Sequence, residues 1–299
     1  MKKILTETNN SNSENIDLLE TSEILKIINN EDQKIHLAVN KALPQIAKAV
    51  DLITDSLAKN GRVAYFGAGT SGRLGVLDAS ECWPTFSFDK NRLKGYIAGG
   101  DYALRNSIEG TEDSKENAFQ DINDFSPTSK DVVVGISASG NPQYVLSVLE
   151  EAKKRGSQTI GITSNPDAKL SKFSDILILT IVGPEVISGS SRMKSGTAQK
   201  MVLNMLSTAS MIKIGKTYKN KMIDVKPLCD KLVKRANNII SEICEIPVEI
   251  ADIYRIKGED NVKTAIVMYK KQCTKEEAEN LLQQHNGILR KVIGIDEKI

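Results

Sequence analysis

Five short apolar runs, Arg62–Phe66, Leu93–Ala98, Asp131–Ile136, Gln158–Thr163 and Ile176–Thr180, are each followed by a loop and mostly by a helix-forming stretch. This alternation constrains the chain more than any other feature. Runs with few polar residues read as strands buried on both faces, and the helices between them are what cover those faces. The pattern predicts an α/β fold, a doubly wound parallel sheet flanked by helices. A chain of 299 residues with 40% hydrophobic content can fill such a core and still carry appendages. The expected division is 1–55 for a lead-in and N-terminal helices, 56–220 for the sheet domain and 221–299 for a helical region.

The flanks read differently. Residues 5–15, rich in Asn, Ser and Thr, predict a mobile lead-in. Helical periodicity follows over 21–30 and 32–60, with Pro44 placed to bend or split the second helix. A long helix is expected over 191–213, and helices dominate after Pro227 apart from a short strand-like run, Thr264–Met268. Thr274 with Glu277 three residues on marks a helix start, and Asn286-Gly287 a stop, so 274–293 resembles a small UBA-like three-helix unit.

Charge excludes some partners. The 40 basic and 38 acidic residues are spread along the chain, so neither nucleic acid nor a membrane surface is an expected partner. Met1-Lys2-Lys3 is followed by polar residues where a signal sequence needs an apolar stretch, and no apolar run reaches spanning length. A cytoplasmic protein is expected. Cys82, Cys229, Cys244 and Cys273 form no C-x-x-C pair, and His36 and His285 are the only histidines. No metal site is expected, and the cysteines read as structural.

Three loops carry the chemistry. Tyr65–Thr85 runs from a strand through G-A-G-T-S-G into a helix expected to begin near Gly72, whose unpaired N–H groups suit an anion. Residues 67–72 match G-x-G-x-x-G, and Asp89 falls near the spacing of a ribose-binding acid. It precedes the second strand, however, where a dinucleotide site needs the acid at that strand's end. S-A-S-G-N-P at 137–142 and S-G-S-S-R-M-K-S-G-T at 188–197 also open helices. A single serine before a helix is as readily a plain N-cap, but three hydroxyl-rich loops after parallel strands point to a phosphate monoester. The candidate binding residues are Gly69, Thr70, Ser71, Ser137, Ser139, Gly140, Asn141, Ser190, Ser191 and Arg192, with Arg73 and Lys194 as further sources of positive charge.

The strings A-G-T-S-G-R-L-G-V-L-D-A-S-E-C (68–82), I-A-G-G-D-Y-A-L-R-N-S-I-E-G-T-E-D (97–113), S-A-S-G-N (137–141), S-G-S-S-R-M-K-S-G-T (188–197) and Q-K-M-V-L-N-M-L-S-T (199–208) resemble the N-acetylmuramic acid 6-phosphate etherase family. The resemblance covers most of the chain. Trp83 departs from it, since the family more often has proline there. It implies a sugar isomerase (SIS) fold, a phosphosugar substrate, no cofactor, and a homodimer whose sites are shared between subunits. It also implies cleavage of the lactyl ether of N-acetylmuramic acid 6-phosphate to N-acetylglucosamine 6-phosphate and D-lactate, in cell-wall sugar recycling. The family's two active-site glutamates fall on Glu81 and Glu112.

Local context suggests how two carboxyls could divide the work. Pro84 should end the preceding helix near Glu81, where the negative end of the dipole favours a protonated acid. Gly110-Thr111 should start the next helix, keeping Glu112 ionised as a base, with Glu109 as its rival. Phosphosugar aldose-ketose isomerisation would use the same loops, and so would a non-catalytic sugar-phosphate sensor. A transcriptional sensor should begin with a basic helix-turn-helix, which residues 1–60 lack.

Overall fold

The computed structural model describes residues 7–294. Val63–Gly67 (β1), Leu93–Ile97 (β2), Val132–Ile136 (β3), Gln158–Thr163 (β4) and Ile176–Leu179 (β5) form one parallel sheet in the order β2-β1-β3-β4-β5. Every residue of β1 and β3 is buried, which is why these strands are unbroken apolar runs. Val63 pairs with both Leu93 and Val132, and Gly67 with both Ile97 and Ile136, so the three strands finish level. The chain leaves β1 towards β2 on one side and then crosses to β3 on the other. The order reverses at β1, and ligands bind at such switch points.

Thr21–Ala58 (α1), Gly69–Phe86 (α2), Gly100–Arg105 (α3), Lys115–Phe125 (α4), Gln143–Lys154 (α5) and Lys194–Lys213 (α6) accompany the sheet. Helix α1 buries Ile35, Val39, Ala42, Ile46, Ala49 and Ile53, one stripe at helical spacing. Phe66 stacks on Tyr96 at 4.6 Å and meets Phe125 edge-on, in a core shared with Ile122, Tyr144, Val145 and Leu149. Polar groups tie α2 to α6: Ser71 donates to Gln199 (2.9 Å), and Asp78 accepts from Asn204 (2.7 Å) and Ser207 (3.1 Å).

The chain condenses into two compact units, one holding residues up to Ser80 with Lys90–Ser207, the other Glu81–Asp89 with the chain from Thr208 onward. The second contains a short antiparallel ribbon, Thr217–Tyr218 (β6) and Lys221–Met222 (β7). It also holds helices Asp230–Cys244 (α7), Val248–Lys257 (α8), Val262–Lys271 (α9), Lys275–Gln284 (α10) and Leu289–Ile293 (α11). Ile240, Ala265, Ile266 and Ala278 lie at the centre of its core. Among the described residues no helix is long and apolar enough to cross a membrane.

Several local expectations are corrected. Thr264–Met268 is not a strand but part of α9, where Val262 to Met268 are all buried and Asn261 caps the helix by accepting from the Thr264 N–H. Burial on every side erases the helical period that would have distinguished it. Helix α1 runs through Pro44 without a break; the proline and Asn40, the residue that loses its hydrogen bond, both face solvent. Helix α2 likewise continues through Pro84 to Phe86, with Phe86 and Phe88 buried beyond it. The described part of the polar lead-in is packed rather than mobile: Asn10 donates to the Pro184 carbonyl (3.2 Å) and Ser13 to that of Val186 (2.6 Å). Met1-Lys2-Lys3 and residues 5 and 6 lie outside the described residues. Residues 274–293 hold two helices, α10 and α11, with α9 packed against both.

Asp131 pins the starts of β1 and β3. It accepts from the Arg62 backbone N–H (2.7 Å), the Arg62 guanidinium (2.8 Å) and the Thr128 N–H (2.8 Å). Burial alone would raise its pKa, but the Arg62 side chain and the Thr128 and Arg62 amides outweigh burial and hold it below the ordinary aspartate value. A depressed carboxyl contributes stability that is present above the ordinary value of 3.8 and lost as pH falls through the folded one. Asp131→Asn should therefore cost roughly 2 kcal/mol at neutral pH. Urea unfolding should show the two proteins converging below pH 3.8, and a constant gap would refute this origin.

Candidate functional site

The level ends of β1 and β3 set the loops 68–72 and 137–142 side by side. Helix α2 begins at Gly69, earlier than the expected start near Gly72, so the N–H groups of Gly69, Thr70 and Ser71 have no acceptor within the helix. They and the positive end of the dipole face the cleft mouth. Across from them, the loop after β3 turns its carbonyls away. Ala138 accepts from the Thr163 hydroxyl (3.0 Å) and the Ser164 N–H (3.0 Å), Ser139 from the Asn165 side chain (2.9 Å), and Gly140 from the Leu170 N–H (3.1 Å). With its acceptors bound to the last residue of β4 and the segment that follows, this loop presents Ser137 and Ser139 to the cleft. Gly140 makes the turn at φ +69, and a Cβ there would lie 2.3 Å from that of Ala168.

Gly189 and Ser191, from the turn before α6, form a third wall. Glu112 enters from the 3-10 turn Thr111–Asp113, and Glu7 closes the remaining side. The cleft measures about 300 Å³, at the small end of the range for small-molecule sites.

No lysine or arginine lines it among the described residues. Arg73 donates to the carbonyls of Leu104 (3.0 Å) and Asn106 (2.9 Å), holding the C-terminal end of α3. Arg192 is exposed outside the cleft. Lys194 is fully buried and paired with Glu31 at 2.6 Å. Burial would raise the Glu31 pKa, but hydrogen bonds from Lys194, Lys34, Asn12 and Asn10 prevail and lower it to about 2. The start of α6 is also occupied from within, since buried Glu185 accepts from the N–H groups of Lys194 (2.8 Å) and Ser195 (2.9 Å). Among the described residues, the polar groups lining the cleft are therefore N–H and O–H groups and the carboxylates of Glu7 and Glu112.

Of the expected residues, the cleft brings together Gly69, Thr70, Ser71, Ser137, Ser139, Ser191 and Glu112. Gly140 shapes the loop from behind, and Asn141 braces it by accepting from the Lys169 N–H (3.3 Å). Ser190 belongs to a turn, its N–H bonded to Ile187 (2.9 Å). Glu81 is an exposed residue in the C-terminal half of α2, within the segment that joins the second unit, and does not line this cleft. Asp89 sits in the irregular segment before β2, not at its end, which removes the ribose contact of a dinucleotide site. Glu7 was missed, because it lies in a polar stretch with no local motif.

The dipole reasoning for the two glutamates is overturned. Helix α2 extends five residues past Glu81, and dipole effects fade within the last turn. Glu112 stands on a single 3-10 turn, too short for an appreciable dipole. Lost hydration first, then the Asp113 and Glu109 charges, push its pKa up, although the residue is largely exposed. Glu109 itself does not line the cleft.

A switch-point cleft of hydroxyls and amides in a five-stranded parallel sheet defines the SIS class. Residues 122–209 match the SIS domain, and residues 45–153 the glucokinase regulatory protein N-terminal SIS domain. The N-acetylmuramic acid 6-phosphate etherase of Glaesserella parasuis is 53% identical over 95% of this chain and 94% of its own. That of Actinobacillus pleuropneumoniae serotype 5b is 49% identical over 98% and 96%, and that of Geobacillus sp. WCH70 47% over 98% and 99%. This chain belongs to the N-acetylmuramic acid 6-phosphate etherase family.

Gly140→Ala should strain the loop and cost roughly 2 kcal/mol of stability. Calorimetry with inorganic phosphate should show binding weakened about tenfold or more, because the Ser137–Ser139 wall is displaced. Unchanged affinity would separate this loop from anion binding.

Proposed function

We infer that this chain is a carbon–oxygen lyase that cleaves the D-lactyl ether of N-acetylmuramic acid 6-phosphate, yielding N-acetylglucosamine 6-phosphate and D-lactate in amino-sugar recycling. Near-full-length kinship with etherases carries the inference, and the cleft supplies groups suited to the chemistry. In our reading the phosphate lies against the α2 amides, the Ser71 N–H among them, and the hydroxyls of Thr70, Ser137 and Ser139, held by the loop that Gly140 and Asn141 shape. Ser190, Ser191 and Arg192 belong to the segment that closes over the sugar.

In the open-chain sugar the C1 aldehyde acidifies the C2–H bond. We assign Glu112 as the base that takes this proton; a carboxylate of raised pKa is the stronger base once ionised. Glu81 of this chain lies outside the cleft, so we assign the acid to Glu81 of the partner subunit: the C3–O bond breaks as it protonates the ether oxygen, and lactate departs, leaving a double bond between C2 and C3. Water then adds at C3, giving its proton to the partner's Glu81, while Glu112 returns a proton to C2. The sum is addition of one water across the ether, with no net oxidation. We further propose that the chain works as a homodimer with sites shared between subunits.

Glu81→Gln and Glu112→Gln should each slow lactate release by about a hundredfold or more while N-acetylglucosamine 6-phosphate still binds. Near-normal turnover removes that residue from the mechanism, and a ketose product without lactate would favour the isomerase. Because the base must be ionised, kcat/KM should fall as pH drops through a pKa above the ordinary 4.5 of glutamate, and an acid limb at or below 4.5 would strip Glu112 of that role. Light scattering should give the mass of two chains; a monomer at assay concentration excludes shared sites.

A further inference from the structure

The mechanism leaves Glu7 without a task, although it is one of two carboxylates lining the cleft. Its position is built. Asn10 and Ser13 are buried polar residues, bonded to the carbonyls of Pro184 and Val186 just ahead of the turn that carries Gly189 and Ser191. Asn12 adds a bond to the buried Glu31 carboxylate (2.7 Å). The segment is thereby clamped against the cleft's third wall. Glu7 Oε2 lies 3.0 Å from where a side chain on Gly189 would begin, and Gly189 has φ +78, so this wall is bare backbone with the carboxylate laid over it.

We propose that Glu7 is a substrate-recognition residue, which accepts hydrogen bonds from the hydroxyl or amide N–H donors of the sugar. This rests on the phosphosugar reading of the cleft. A carboxylate cannot hold the phosphate or the lactyl carboxylate, since it offers acceptors only and like charges repel. The neutral O–H and N–H groups of an N-acetylated amino sugar are the donors that match it, and the phosphate is left to the amide and hydroxyl walls opposite. Glu7 thus selects a sugar phosphate over a bare anion.

The test uses the full chain with Glu7→Ala, Glu7→Gln and the anchor variant Asn10→Ala/Ser13→Ala. Calorimetry should show Glu7→Ala weakening N-acetylglucosamine 6-phosphate about tenfold while inorganic phosphate affinity stays unchanged. Glu7→Gln, which keeps one acceptor oxygen, should lose less, and the anchor variant should reproduce Glu7→Ala. In turnover the loss should appear in KM rather than kcat. Equal weakening of both ligands would make Glu7 a merely structural residue, and unchanged sugar-phosphate affinity would end the proposal. These binding measurements read Glu7 whether or not the wild type releases lactate, so failure of the etherase reading is seen separately.

Discussion

The pairing of β1 with β2 on one side and β3 on the other, all three parallel and ending level, is the constraint on which the site depends. Parallel strands leave the sheet at the same edge, and a reversal of order sends the connections from β1 and β3 apart. The space between them is the cleft. Its floor is rigid because β1 and β3 are buried throughout and Asp131 ties their starts together. An anion can then be met by amide and hydroxyl groups that are already oriented, without a flexible cation reaching in.

Charges inside the sheet unit brace loops. Lys194, Glu31 and Glu185 are all buried, and each answers another charge or a row of backbone amides. Burying such groups is costly unless every one is partnered, and partnering demands a particular arrangement of α1, the lead-in and the start of α6. The turn with Gly189 and Ser191 lies between Val186, held by Ser13, and Lys194, held by Glu31 and Glu185. Its placement follows from these partners.

Much was legible in advance where local chemistry and burial agree. All five strands were visible because a doubly covered strand must be apolar, and the loops after β1 and β3 because glycine and hydroxyl residues mark the turn from a strand into a helix start. Legibility failed where the environment overrides local preference. Buried Val262–Met268 looked like a strand, Pro84 looked like a helix end, and an Asn- and Ser-rich lead-in looked unattached until Asn10 and Ser13 found carbonyls far along the chain. The acid and base environments failed for the same reason: Glu112 answers to lost hydration and neighbouring carboxylates, not to a helix dipole.

The sequence by itself determined the class of fold, the glycine and hydroxyl character of the loops and, through its resemblance to a family, the two candidate glutamates, since these depend on residue type and spacing. Only the tertiary structure decided which hydroxyls share one cleft, that Arg73 and Lys194 serve the scaffold, and that Glu7 lines that cleft beside Gly189. Those outcomes come from hydrogen bonds and ion pairs between residues far apart in the chain. Local pattern carries no record of such partners, because the free energy of a buried polar group is set by what surrounds it after folding.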